Sequence, residues 1–532
     1  MAGSKPSKYI HLLLAMAGTM ALLFTAGPVS AQLPTPPVPG CQYAVKSIHD
    51  SKEDYRRATP LQSYDGTKIA SPQQLADYAR SADGKTTLIE GGDFSAWDFT
   101  GVTLSNICFE GSDLSQSNWT GVTATGLGFI NADAGGAIMA GAVMTDILIR
   151  SSNFASVDAT GVDWTSGKLD GGWDGDVEGL KLDDADLTGF RFDCGITVFD
   201  GCPLGRSGNS LRGANLAFSD WSSFGFYDAD MTGAILNQTI ISPRQLTGFK
   251  DAMSMGAVFL SGGNEKIMVL PETWAVLMAS ALEQEREDAP SFDCSAAQTA
   301  VEKAICAEDN SLIRKYDRQL ATLYKAVRKR DRTVAAAQKA WLARRNSCAA
   351  TPDIDDCLRQ SYDQRVGQLI GLLGEPEWLL SGEEALFLEP VLPLGEEVTA
   401  SQSYADLIPV LAGASRSSLW MKRSADGSIE AAGEAVGANA HLCSLRVRGL
   451  RFDPASGWYG LSGKARTYPV LRYHDGRIEV FQSGRLSAED ELPEMGDNYV
   501  SCGARASFPP MVRMAVPAPL MARYRRAAQE ER

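Results

Sequence analysis

The chain has 532 residues, 44% hydrophobic and 22% charged, with a formal net charge of -15. That length is more than one hydrophobic core serves, so about three domains are expected, and the composition excludes a disordered or fibrous chain. The acidity argues against nucleic acid or an anionic lipid surface as partner, and leaves a basic partner or plain solubility as its use.

Lys5 and Lys8 precede an apolar run from Leu12 to Phe24, and Val29-Ser30-Ala31 offers a small-residue cleavage site, so residues 1–31 read as a secretory signal peptide. The run is short for a bilayer span of about 20 residues; an uncleaved anchor is the alternative, and no later membrane span is expected. Cleavage removes two lysines and no acid, taking the charge from -15 to -17. Export places the ten cysteines in an oxidising compartment, periplasmic or secreted in a Gram-negative-type envelope. Their clustering pairs Cys194 with Cys202, Cys294 with Cys306, Cys348 with Cys357 and Cys443 with Cys502, leaving Cys41 with Cys108 by elimination.

Residues 32–90 read as a Pro-rich linker and a cap, in which Ser71 as N-cap and Pro72 at the first helical position open an amphipathic helix running to about Arg80. From Phe94 to Leu169 every fifth residue is apolar: among them Phe99, Leu104, Phe109, Trp119, Phe129, Phe154 and Trp164. Two residues before each stands a small or β-branched residue such as Val102, Ser117, Val122, Ala137 or Val162, and Asp or Asn recurs between (Asp93, Asp98, Asp113, Asn118, Asp133, Asn153). A period of five fits neither helix nor strand. The backbone must turn a corner every few residues, with the large and small residues inside and the acid outside, and four such sides close a square coil. The register lapses at Asp170–Gly179 and around Cys194 and Cys202, which predicts two outward loops, and resumes from Leu211 to Ile241. Ser242–Leu246 is a near-copy of the first cap.

The small residue, Asp or Asn, then Leu or Phe resembles the pentapeptide-repeat family. The resemblance implies a right-handed quadrilateral β-helix of about twenty residues per coil over 91–250. Between Gly91 and Lys250 stand 20 acids and 8 bases, net -12. An inert acidic spacer is the expectation, with binding of a basic partner as the alternative; export separates it from DNA. Asp174, Asp176 and Glu178 begin like a calcium loop, but Ala185 stands where the closing glutamate belongs, so no metal or cofactor is assigned.

A connector over 251–290 carries a helix from Pro271 to Glu287. Helical spacing then predicts Gln298–Ala307, Ser311–Lys329, Val334–Ser347 and Ile354–Leu373, with Leu312, Tyr316, Leu320, Leu323 and Tyr324 as one apolar stripe. The strings Phe292-Asp293-Cys294 and Glu302-Lys303-Ala304-Ile305-Cys306, then Gln338, Trp341, Arg344-Arg345, Cys348, Cys357, Tyr362 and Arg365, resemble the LprI-like domain over 291–373. That resemblance implies a small disulfide-stapled α-helical bundle and inhibition of lysozyme, a cell-wall muramidase. The module carries 14 bases against 10 acids between Ser291 and Ile370, so attraction to a basic lysozyme must come from a local surface or from the coil. Arg344 and Arg345, and Asp353, Asp355 and Asp356, are the candidate partner-binding residues, with solvated helix ends as the alternative.

Residues 374–532 read as a small C-terminal β-sheet domain, with strands at Leu419–Lys422, Leu442–Arg448, Val470–Tyr473 and Ile478–Phe481, and an end after Pro509 that frays. His49, His441 and His474 are far apart, and no phosphate loop or nucleophile constellation stands out, so no enzyme is expected. The sequence thus reads as a multidomain α and β chain. Either its helical domain binds a lysozyme or another cell-wall enzyme, or its acidic coil scaffolds a basic protein.

Overall fold

The computed structural model describes residues 41, 61–82, 84–170, 176–193, 208–222, 229–262, 265–287, 290–307, 310–391, 402–437, 441–462, 467–474, 476–481, 499–503 and 506–530. The signal peptide, His49 and the Cys194 and Cys202 pair lie outside them. Two compact units emerge, one of Met1–Ala279 with Leu394–Ala414, the other of Ser280–Pro393 with Ser415–Arg532.

The first unit is a β-solenoid. Its main sheet is parallel and repeats every twenty residues, Leu88 pairing with Cys108, Cys108 with Gly128, Gly128 with Leu148 and Leu148 with Lys168. Three further parallel ladders run beside it: Asp93, Asp113 and Asp133; Asp98, Asn118 and Ile138; Thr103, Thr123 and Val143. The corners have one cause. Every fifth residue from Ala96 to Ser166, including Gly101, Asn106, Gly111 and Gln116, has a positive φ, the left-handed turn that glycine and asparagine adopt at least cost. Glycine stands at many of these corners, among them Gly101, Gly111, Gly121 and Gly141.

The quintet residues fill the interior. Phe94, Phe99, Phe109, Trp119, Phe129, Phe154 and Trp164 are fully buried, and rings of neighbouring coils stack, Phe99 on Trp119 at 3.9 Å and Phe192 on Trp221 at 3.7 Å. Asn153 pairs with Asp176, and Lys181 with Ser210. The twenty-residue repeat thus absorbs three and then nine extra residues where the sequence register lapses.

Sequence reading missed how buried indoles are satisfied. Trp119 Nε1 donates to Ser117 Oγ (2.7 Å) and Trp221 Nε1 to Ser219 Oγ (2.6 Å), each serine standing in the small inward position. Trp164 has Val162 there instead, and its Nε1 has no acceptor. Ser117→Val should therefore destabilise the protein by about 1–3 kcal/mol by orphaning an indole N–H. In Val162→Ser a gained hydrogen bond offsets lost apolar burial, so chemical denaturation should show less than half that cost. Equal losses would mean the serines matter only for size.

At the N-terminal end the strand Leu61–Asp65 pairs with Thr86–Glu90, and the helix Pro72–Ser81 buries Leu75, Ala76 and Ala79, with Ser71 Oγ accepting from the Gln74 N–H. At the other end Ser242–Leu246 does not repeat the first cap in full. Pro243–Phe249 is a 3-10 segment, in keeping with Thr247 and Gly248, poor helix formers, where the first copy has Ala76 and Asp77. Val258–Gly262 and Glu265–Val269 finish this edge as an antiparallel pair. The helix Gln402–Ala414 packs on both strands, with Arg244 Nε donating to the Ala414 carbonyl at 2.7 Å. It buries Leu407, Ile408, Val410 and Leu411. This helix falls inside the span read as C-terminal β domain, yet belongs to the solenoid unit because its apolar face completes the solenoid's open end.

In the second unit, Ala300–Cys306, Ser311–Arg330, Val334–Asn346 and Ile354–Leu373 are helical and share a core of Ile305, Ile313, Tyr316, Leu320, Trp341, Leu358, Tyr362 and Val366. Thr299 and Glu302 form a reciprocal capping box at the first. The rest of the unit is a nine-stranded antiparallel sheet in which Ile429–Val436 pairs with both Ser417–Arg423 and Leu442–Asp453, closing a barrel around Phe387, Leu419, Met421, Leu445, Tyr459, Leu471 and Met511. Where fraying is expected after Pro509, Ala518–Glu530 is a helix, and Arg525 Nε meets Glu384 Oε2 at 2.7 Å.

Candidate interaction surfaces

The solenoid's outward carboxylates have two tasks. Asp93, Asp98, Asp113 and Asp133 each accept, through Oδ1, the backbone N–H two residues on at 2.9–3.0 Å, which pins the corner. Side-chain and then backbone hydrogen bonds from Ser95 and Thr100 hold Asp93 and Asp98 below the usual carboxylate value. The sign follows: their stabilising effect is complete above the unfolded pKa and is lost as pH falls through the lowered folded value. They therefore stay ionised and exposed. Asp93, Asp113 and Asp133 stand one above another on successive coils, and no lysine or arginine occurs from Gly91 to Ile149. Asn118 holds the same kind of corner through Oδ1, accepting from the Thr120 N–H at 3.1 Å. Charge is thus not needed for the turn.

Four disulfides are seen among the described residues: Cys41 with Cys108, Cys294 with Cys306, Cys348 with Cys357, and Cys443 with Cys502. Such bonds fit an oxidising extracytoplasmic setting. The last joins register partners on neighbouring strands. Cys41 lies fully buried on the outer side of the main sheet, in a cluster with Leu88, Ile130 and Leu148. Gly128 makes the room for it, since a Cβ there would sit 2.5 Å from Cys41 Sγ.

The candidate contact residues of the helical module separate. Arg345 turns inward: its Nη1 donates to the Tyr362 hydroxyl at 3.0 Å, its guanidinium lies over Trp341, and Tyr362 in turn donates to buried Asp317 at 2.6 Å. Burial and then the Asp317 charge push the Tyr362 pKa far up. Arg344 is exposed. Asp353 accepts from the Asp356 N–H as the N-cap of Ile354–Leu373, Asp355 accepts from Asn310, and Asp356 meets Arg359. The acidic trio thus organises a helix start. Three further residues that carry the LprI-like resemblance are structural, Arg365 donating to Gln338 at 3.0 Å and Trp341 to the Ser361 carbonyl at 3.1 Å.

One residue that sequence reading passed over ties this unit together. Arg472, on a barrel strand, is fully buried and reaches Glu479 on the next strand and Asp363 Oδ1 on the Ile354–Leu373 helix at 2.9 Å, with Trp458 at 4.4 Å beneath it. Gly367 and Gly371 of that helix lie so close to the carbonyls of Ser456 and Pro454 that a Cβ would stand 2.3 and 2.0 Å away. Both glycines are therefore required by backbone approach. Among the described residues no three His, Cys, Asp or Glu side chains converge to hold a metal. Asp174 lies outside them, and Asp176 accepts from the Glu178 N–H. No described helix is long and apolar enough to cross a membrane.

No protein-family model and no curated protein sequence matches the chain. Similar solved structures are repeat proteins. A pentapeptide repeat protein from the thylakoid lumen of Arabidopsis thaliana is 29% identical, over 18% of this chain and 65% of that one, with a TM-score of 0.17. Less than two thirds of that protein is therefore spanned. QnrB1, a plasmid-mediated fluoroquinolone resistance protein, is 12% identical over 34% of this chain and 82% of its own, TM-score 0.20. HetL, a pentapeptide repeat protein involved in heterocyst differentiation regulation from the cyanobacterium Nostoc, is 21% identical over 33% and 76%, TM-score 0.15. The case for the coil rests on its own ladders.

Proposed function

We propose that the chain is a non-catalytic scaffold of the bacterial envelope, periplasmic or secreted, whose acidic solenoid engages a cationic protein. The observation that carries this reading is the row Asp93, Asp113 and Asp133, exposed and aligned across three coils in a stretch free of lysine and arginine. Like charges stacked this way repel one another, and a cationic partner relieves the repulsion. Four ladders per twenty residues support a quadrilateral coil; its right-handed sense follows from the family resemblance. The second unit, with its disulfide-stapled bundle, serves as a rigid docking body. Lysozyme inhibition through the LprI-like module finds less support, because most of the residues that carry the resemblance hold the fold together; Arg344 and Lys303 are among those exposed at the surface.

A basic muramidase tests both readings in one titration. The full chain should bind it with an affinity that falls as salt rises, and Asp93→Asn/Asp113→Asn/Asp133→Asn, which keeps every corner, should weaken binding about tenfold, a loss of roughly 1.4 kcal/mol. Muramidase activity should stay unchanged. Inhibition that survives the triple substitution and disappears with Arg344→Glu would favour the inhibitor reading; salt-independent binding would remove the acidic face from consideration.

A further inference from the structure

We propose that the cationic partner of the acidic coil is a second copy of this chain, engaged through a basic stripe on the Ser311–Arg330 helix. This rests on the reading of the coil as an acidic docking face. Lys325, Arg328 and Lys329 project from the last two turns of the helix at spacings of three and four that put them on one side, and Arg332 follows just beyond its end. All four are exposed, while Leu320 and Val327 of the same helix are buried in the core. No ion pair holds any of the four among the described residues. Asp331, the acid beside them, has its carboxylate engaged by Thr333.

The helix C-terminus accounts for some positive charge in the final turn. It does not account for Lys325, or for Arg332 outside the helix. Repulsion along this side favours an anionic partner with charges at matching intervals. A helix rises about 1.5 Å per residue, so Lys325 to Lys329 spans about 6 Å along the axis, and Arg332 carries the row past the helix end. Coils stack at about 4.8 Å, so Asp93 to Asp133 spans about 9.6 Å. The two rows are therefore opposite in sign and both run over a few ångströms of exposed surface. The contact joins the acidic patch of one copy to the basic patch of another.

Sedimentation and light scattering of the full chain test this. At about 20 mM salt, where screening is weak, the apparent mass should rise above the monomer with protein concentration, and it should return to the monomer at about 500 mM. Lys325→Glu/Arg328→Glu/Lys329→Glu, all at exposed positions, should be monomeric at both, and the Asp93, Asp113 and Asp133 to Asn triple should self-associate about tenfold more weakly. A monomer at low salt and all concentrations overturns the proposal, as does self-association that ignores the reversed stripe. If that monomer still binds the basic muramidase, the acidic docking face stands and only the second copy is excluded. Circular dichroism of each variant shows that a lost assembly is not a lost fold.

Discussion

Arg472→Leu is expected to destabilise the second unit by about 3 kcal/mol, the cost of stranding the part-buried partners of a removed, fully buried charge. Burial works against the charge of Arg472, but Glu479 and then Asp363 outweigh it and hold its proton more tightly than usual. Take the guanidinium away and Glu479 and Asp363 lose the cation that they share. Adding Asp363→Asn and Glu479→Gln to Arg472→Leu should recover much of the loss, because neutral partners need no cation. The measurement is urea unfolding followed in the full chain, where the two units need not melt together. A single substitution costing less than about 1 kcal/mol would show that water already reaches this cluster. Since Asp363 belongs to the helical module and Glu479 to the barrel, the same variant should loosen the Ile354–Leu373 helix in hydrogen exchange.

Removing the Cys41 to Cys108 bond, as Cys41→Ser/Cys108→Ser, is expected to cost about 4 kcal/mol, from the entropy restored to the unfolded chain. The bond spans 67 residues. Its loss has a local signature as well. Leu88, Ile130 and Leu148 point out from the main sheet yet are at most 2% exposed, and releasing Cys41 should uncover them to an apolar dye. Hydrogen exchange at Gly128–Ile130 and Leu148–Arg150 should rise while the Thr103–Ser105 side stays protected. Uniform loosening would argue against a local cover, and no change would argue that the bond is redundant.

The solenoid was legible because its signal is periodic and its environment repeats: a fully enclosed position every five residues leaves little choice of side chain. The helical module was legible for a related reason, its helices starting and stopping within about two residues of the spacing-based bounds. The barrel was not. Ile429–Val436 is a strand built largely of alanine and glycine, and its small residues fit a crowded position: a Cβ on Gly433 would lie 2.0 Å from the Ser418 carbonyl. Such a strand is specified by its neighbours, and β-propensity cannot find it. The helix Gln402–Ala414 reads as amphipathic without saying which surface it covers. Arg345 and Arg472 show the same limit for charges. Each looks like a solvated arginine in sequence, and only tertiary contact turns one onto a tyrosine and the other into a sealed ion pair.

The way the coil swallows three and nine surplus residues has a practical corollary. Its ladders resume in step on the far side of each interruption, so a foreign peptide spliced between Asp170 and Asp176 should leave the flanking rungs untouched. A grafted epitope there would be displayed without unwinding the spring.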